Sequence, residues 1–437
     1  MPVSPFDSQL TGPLFSDDEM AVFFSDKAVI DSMVAVEIAL AKAQAEAGLI
    51  PGSAATQIAK GLEDFTPDLA DMGRAAAAFG VPVPALLAAA RAALPPEAAP
   101  FLHWGATSQD VVDTAMALRL KEALGLLEKG IQKVLGRLGS LAVEHAETVM
   151  VGRTRWQQAV PTTFGYKAAM WGEPLQRHLQ RLAELKPRLL VLSLGGAVGN
   201  LSAMGRKAAE VEARLAEELQ ISLPKSSRHT QRDGMAELAG WLSMLSGSLG
   251  KVGQDLLLLA QSEVGEVHFA SSGGSSTMPQ KSNPIGAEVL VTLSRFNAGL
   301  VGVIHQAQIQ EHERGGPGWM LEWLVLPQMI MAAAAALRHA ISLMGELSVD
   351  AAAMQRNLDL SNGLCLAEAA VFALSEYMSK TQAQELVKDA CQQTRRTHEH
   401  LMDVLAGRVP HPIPWSELKN PRNHVGLAAA RAKSFTS

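Results

Sequence analysis

The residues Leu124, Leu127, Ile131, Leu135, Leu138 and Ala142 recur at intervals of three and four, laying one apolar stripe along the segment 113–148. A helix of about 30 residues is roughly 45 Å long, far beyond the globular average. Comparable segments cover 158–189, 234–265 and 284–310. Helices of this length stabilise one another by lying side by side, so the pattern predicts an all-α chain built on a long antiparallel bundle. Helix-forming Ala, Leu, Glu, Gln and Lys dominate, while alternating Val/Ile/Thr runs are scarce. The apolar surface is wide, as at Leu256–Leu259 and 329–336, and this points to burial of part of it by other subunits.

Three regions are expected. Residues 1–112 form an N-terminal helical domain whose short helices are broken by Pro51, Pro67, Pro82, Pro84, Pro95 and Pro96. Residues 113–350 hold the long helices and an active-site loop at 268–286, and 351–437 form a C-terminal helical domain. No internal repeat is visible. A formal net charge of −6 without a Lys/Arg-rich block argues against a nucleic-acid or anionic-membrane partner. The first residues lack the basic and apolar regions of a secretory signal. The apolar stretch 329–344, interrupted by Arg338 and His339, is expected to fall short of a membrane span. Two cysteines, Cys365 and Cys391, make no disulfide framework and suit a reducing cytoplasm. No metal-binding cluster stands out, so neither a metal nor a cofactor is expected.

The segment Ser271-Ser272-Gly273-Gly274-Ser275-Ser276-Thr277-Met278-Pro279-Gln280-Lys281-Ser282-Asn283-Pro284 combines the composition of a mobile loop with hydroxyls, an ammonium and an amide. Joined to an apolar helix, it reads as a lid that holds an anionic substrate, or as an ordinary connection. Thr107, Ser108 and Asp110 precede a long helix, where they cap its free N–H groups or help hold an anion. Glu311-His312-Glu313-Arg314 supplies either a bidentate carboxylate partner, Arg314, or a solvated helix end.

These segments together resemble the fumarase/aspartase superfamily. The lid matches its Gly-Ser-Ser-x-Met-Pro-x-Lys-x-Asn-Pro segment at every fixed position. His103-Trp104-Gly105-Ala106-Thr107-Ser108-Gln109-Asp110 is similar to its Thr-Ser-x-Asp segment and the histidine just upstream. His229-Thr230-Gln231-Arg232-Asp233 and the His-Glu-Arg run ending at Arg314 match further segments. Val36-Glu37-Ile38-Ala39-Leu40-Ala41 matches a family helix and is read as structural. The resemblance implies an all-α fold with smaller N- and C-terminal helical domains, and a homotetramer whose active sites gather residues from three subunits. It also implies chemistry in which a proton α to a carboxylate is removed and a group leaves the β-carbon through an aci-carboxylate intermediate.

One position departs from the pattern. Lyases of this superfamily commonly read Gly-Arg-Thr-His-x-Gln, where the histidine helps protonate the departing group; here the run is Gly152-Arg153-Thr154-Arg155-Trp156-Gln157. An arginine gives up no proton near neutral pH. An amine or hydroxide needs protonation as it leaves, whereas a carboxylate, whose acid has a pKa of about 4, does not. The chain therefore resembles the branch that adds or expels a carboxylate within one molecule, the 3-carboxy-cis,cis-muconate cycloisomerases. That resemblance implies a small tricarboxylate substrate. It makes Ser275 the proton-transferring group, with Lys281 spreading the aci-carboxylate charge and Arg155 stabilising the moving carboxylate. His103, Thr107, Ser108, Thr154, Gln157, Gln231, Ser276, Met278, Asn283 and Arg314 are then expected to bind substrate, with Arg153 adding positive charge. Two alternatives stand beside this reading: adenylosuccinate lyase, and a scaffold retained without catalysis. The former is opposed by the missing histidine and by Ser282 following the lid lysine.

Overall fold

The computed structural model describes residues 3–270, 273–274, 278 and 281–435. The longest helices of the described residues are α1 (Asp26–Glu46), α2 (Ser108–Glu144), α3 (Phe164–Leu189), α4 (Asp233–Leu259), α5 (Ile285–Ala307) and α6 (Pro317–Glu346). The all-α expectation holds, with local differences. The segment expected to be helical from 158 begins as a strand. Val149–Thr154 (β1) and Gln157–Thr163 (β2) form an antiparallel hairpin, and α3 starts only at Phe164. Pro161 between β-branched Val160 and Thr162 explains this, since proline offers no N–H to a helix and β-branched side chains pack well on a strand. α4 stops at Leu259, ahead of a turn at Gly265 with φ +55°.

The chain divides into two compact units, residues 1–130, 178–247 and 293–338 in the first, and residues 131–177, 248–292 and 339–437 in the second. In the first unit α1 is buried on two sides. Met33, Val34 and Val36 pack with Ile58, Leu86 and Leu102, while Ala39, Leu40 and Ala43 pack with Leu192, Val211 and Leu215. Ser25 caps α1 by accepting from the Ala28 amide, which satisfies one free N–H of the first turn. In the second unit Val151 of β1 packs into a C-terminal cluster with Leu358, Leu366, Leu374, Val387 and Leu401, fastening the hairpin to the helices that follow residue 350. A capping box at Ser379 and Gln382 starts the helix Lys380–Thr397.

α5 and α6 are each long and apolar enough to cross a membrane by length and composition. This corrects the expectation for 329–344, because α6 extends that stretch back to Pro317. Its Met329, Ile330, Ala332, Ala333, Ala335 and Ala336 are fully buried in the chain itself. Arg338 donates to the carbonyls of Pro13 and Ser16 at 2.7 and 3.1 Å. α6 is therefore a core helix. α5 is covered over only 33% of its most apolar window.

Gly165 of the second unit makes a backbone approach that only glycine permits. A Cβ on Gly165 would stand 2.4 Å from the Ala142 carbonyl oxygen and 2.7 Å from the Ala146 nitrogen. Neither atom can rotate away. Gly165→Ala is expected to cost at least about 2 kcal/mol in denaturant unfolding, the upper range of overpacking. Gly73→Ala, which meets nothing within 4 Å on an exposed helix, should be neutral or stabilising by up to about 1 kcal/mol.

Candidate active site

The N-terminal turn of α2 is organised by one buried carboxylate. Asp110, 1% exposed, accepts from the amides of Thr107, Gly195 and Gly196 at 2.9, 2.8 and 2.9 Å and pairs with His229 Nε2 at 2.6 Å. Four partners saturate it, so Asp110 holds the site together and leaves the anion-facing role to its neighbours. Thr107 and Ser108 are half-buried at the helix start. Arg314 Nη1 donates to Thr107 Oγ1 at 2.5 Å, and its Nη2 to the Ala197 carbonyl. Two residues separated by about two hundred positions in the sequence are thus brought together. The combination of a hydroxyl, an exposed guanidinium and a helix N-terminus suits a carboxylate.

His103 sits beside this group with φ +64°, and its Nδ1 lies 2.5 Å from Glu37 Oε1. Glu37 is 2% exposed and its other oxygen has no hydrogen-bond partner. A carboxylate on Nδ1 orients the ring and leaves Nε2 as the working nitrogen. Gln44, two turns further along α1, donates to the Trp104 carbonyl at 2.7 Å. The α1 helix was read as structural, yet Glu37 and Gln44 position the histidine segment. The signal was present in the sequence: a Glu inside the apolar run 36–41 has no reason to be there unless something pairs with it.

Gln231 does not join that group. Its side chain bonds to Ser226 Oγ at 2.9 Å and Arg228 Nη1 at 3.4 Å. The adjacent Arg232 is fully engaged. It lies between Asp113, at 2.6 Å, and Glu322, whose Oε1 accepts from Nε at 2.8 Å, while Trp319 Nε1 donates to Asp113 at 2.8 Å. Burial works to lower the Arg232 pKa, but the two carboxylates outweigh it and hold it above its ordinary value. Burial pushes the Glu322 carboxyl up, against the pull of Arg232.

In the second unit the hairpin turns at Arg155 and Trp156, whose φ values are +49° and +62°. Thr154 pairs with Gln157 across a two-residue turn, the geometry that normally selects Asn-Gly. Two left-handed L-residues cost roughly 1–2 kcal/mol each, and strain of this kind gathers at functional sites. The turn is held by its root. Arg153 makes a bidentate pair with Glu266, at 2.9 and 2.7 Å, and Glu266 is wholly buried and also takes a bond from Asn357. Arg153 therefore adds no positive charge for a substrate, contrary to expectation, because the Glu266 carboxylate neutralises it. Arg155, Thr154 and Gln157 are exposed. Arg155 and Trp156 line a cavity of about 730 Å³ with Lys167, Asp255, Leu258 and Leu259. Lys167 had no distinguishing mark in the sequence; burial lowers its pKa, with Asp255 working the other way.

The lid is described at its ends. Gly273 pairs with Asn283 and Gly274 with Ser282, and the Lys281 amide donates to the Met278 carbonyl at 3.0 Å. These bonds close the loop on itself. Lys281 is exposed, Asn283 half-buried and Met278 44% exposed. Ser275 and Ser276 lie outside the described residues. Among the described residues no group of His, Cys, Asp or Glu is arranged to hold a metal ion.

Removing the charge of Arg232 tests the buried cluster. Arg232→Met leaves two buried carboxylates without a cation and should cost about 3–5 kcal/mol. The folded variant then holds a proton that the unfolded chain has released. Its stability should accordingly fall as pH rises from about 5 to about 8, by chemical denaturation, more steeply than that of the parent.

A sequence model of the lyase family, described as "Lyase", matches residues 15–297. The chain is 41% identical over 434 residues to 3-carboxy-cis,cis-muconate cycloisomerase of Pseudomonas aeruginosa, covering 97% of this chain and 95% of that one. It is 36% identical over 423 residues to N-acetyl-S-(2-succino)cysteine lyase of Enterococcus italicus, covering 95% and 93%. The crystal structure of 3-carboxy-cis,cis-muconate lactonizing enzyme from Pseudomonas putida superimposes with a TM-score of 0.91 at 40% identity, covering 98% of this chain and 99% of that one. Matched in sequence and in fold over nearly all its length, this chain belongs to the lyase family of the fumarase/aspartase superfamily.

Proposed function

We propose that this protein is a cofactor-independent cycloisomerase that converts 3-carboxy-cis,cis-muconate to 4-carboxymuconolactone, the lactonising step of protocatechuate breakdown. The observation that carries the reading is Arg155: a cation that cannot release its proton, at the tip of a strained turn facing a cavity of about 730 Å³. The similarity to the Pseudomonas aeruginosa cycloisomerase and to the solved Pseudomonas putida enzyme supports it.

The reaction conserves every heavy atom. A substrate carboxylate oxygen adds to the β-carbon of a conjugated double bond, and the electron pair moves onto the carboxylate at the α-carbon as an aci-carboxylate. Lys281 and Asn283 hold that carboxylate and spread its charge. The Ser275 hydroxyl gives its proton to the α-carbon, and the resulting alkoxide is stabilised beside Lys281 until water reprotonates it. Arg155 orients the attacking carboxylate, while Thr107 and Arg314, with Ser108 and His103, hold the third. Thr154, Gln157, Gln231, Ser276 and Met278 complete the binding set. The three-domain division at 112 and 350, a cytoplasmic location and a homotetramer with shared sites belong to the same reading. The incomplete covering of α5 supports an assembly.

A second reading rests on the succinocysteine lyase relative. A thiolate, with a pKa near 8.5, also leaves without strong acid assistance, so Arg155 alone does not separate the two. Purified protein without added metal is assayed on 3-carboxy-cis,cis-muconate, with N-acetyl-S-(2-succino)cysteine and adenylosuccinate in parallel. Loss of the diene absorbance with the first substrate is the expected result. Fumarate from either of the others, with an unchanged muconate, would transfer the assignment to the lyase concerned. Arg155→Met should lower kcat/KM by roughly tenfold to a hundredfold, the worth of a charge-assisted hydrogen bond. Ser275→Ala should remove nearly all turnover while substrate still binds.

A further inference from the structure

A cavity of about 230 Å³ opens beside α2, walled by Phe24, Met33, Met116, Trp323 and Pro327, with Arg119 as the charged group in its lining. Arg119 is 8% exposed. Its Nη1 reaches the Phe23 carbonyl only at 3.5 Å, and its Nε has no hydrogen-bond partner. Burial alone pulls its pKa down, to about 10, with no carboxylate acting on it. The contrast with Arg232, which is also buried but clasped by two carboxylates, is direct. A buried cation without an anion costs several kcal/mol, and such charges are normally paired.

We propose that this cavity is a binding site for a small monocarboxylate with a compact apolar body, such as a single-ring arenecarboxylate, separate from the catalytic site. The carboxylate pairs with Arg119, supplying the missing acceptors, and the ring lies among Phe24, Met116 and Trp323. The competing chemistries fit less well. A free inorganic anion leaves the apolar walls uncovered. A neutral ring leaves Arg119 unpaired, and a dicarboxylate buries a second charge that nothing in the lining matches. The volume is below the range of about 300–1,000 Å³ typical of larger ligands, which limits the occupant to one ring.

The site has a physical line to the organised turn of α2. Trp323 packs against Trp319 with ring centroids 4.6 Å apart, Trp319 donates to Asp113, and Asp113 accepts from Gln109 at 3.1 Å. An occupant against Trp323 is therefore read by tryptophan fluorescence. The inference does not depend on the proposed reaction.

Benzoate is the probe, titrated into the full-length protein by calorimetry and by tryptophan fluorescence, with benzyl alcohol as the uncharged comparison. Saturable benzoate binding with a fluorescence change is expected, with benzyl alcohol weaker by roughly tenfold or more. Arg119→Gln should abolish binding, and Met116→Trp, which fills the cavity while keeping the arginine, should do the same. Arg314→Ala should leave it unchanged. The proposal is overturned if benzoate does not saturate, if binding survives both cavity variants, or if it is lost in Arg314→Ala, which would place the ligand in the catalytic site.

Discussion

Two aspartates on the first turns of α2, three residues apart, hold together distant segments of the first unit. Asp110 gathers the amides of Gly195 and Gly196 and the ring of His229, and Asp113 gathers Arg232, Trp319 and Gln109. Each carboxylate is buried, so each bond to it replaces water that the group has lost, and none can be given up without leaving a charge exposed to an apolar interior. The segments around residues 195, 229 and 319 come from distant parts of the sequence. They meet at this helix start. Arg314 reaches Thr107 and the Ala197 carbonyl in the same place, so the placement of the anion-facing groups follows from the aspartates behind them.

The second unit uses the same device, a buried carboxylate that gathers its partners. Glu266 is buried and fastens Arg153, Asn357 ties Glu266 to the Val264 carbonyl, and Gln158 donates back to Asn357 at 3.1 Å. The hairpin root is thereby rigid. Rigidity at the root lets the tip hold two left-handed residues, because the strain at Arg155 and Trp156 has nowhere to relax.

The bundle was legible because a stripe repeated over more than thirty residues outweighs any local preference. The α2 start stood out in the sequence through its mixture of hydroxyl and charge. What stayed hidden was pairing. The motif Gly152-Arg153-Thr154-Arg155 shows two arginines that look alike, and only the burial of Glu266, more than a hundred residues away, makes one structural and leaves the other open to a cavity. Glu37 looked like a helix residue because its partner, His103, is distant in sequence. The strand at Gln157–Thr163 was hidden for the opposite reason. Its signal, Pro161 among β-branched residues, is short and local, and helix-rich flanks obscured it.

In the proposed reading, Arg155 connects the fold to the kind of bond the site can break. A general acid in this position serves only a leaving group that is unstable as an anion, and its pKa must lie near the working pH. A guanidinium fails that condition at any pH the protein encounters, but it offers a fixed fork of donors that matches a carboxylate. In the proposed cycloisomerase, exchanging one for the other would change what the site stabilises, from a proton in flight to the charge on the carboxylate that attacks or, in reverse, departs. The same reasoning explains why the strained tip is tolerated. A proton donor needs to meet its acceptor only at the transition state, whereas in the proposed reaction a cation that orients the attacking carboxylate must hold its geometry from binding until the new bond forms. A turn pinned by a buried ion pair, with its φ angles locked, meets that demand better than a relaxed loop would.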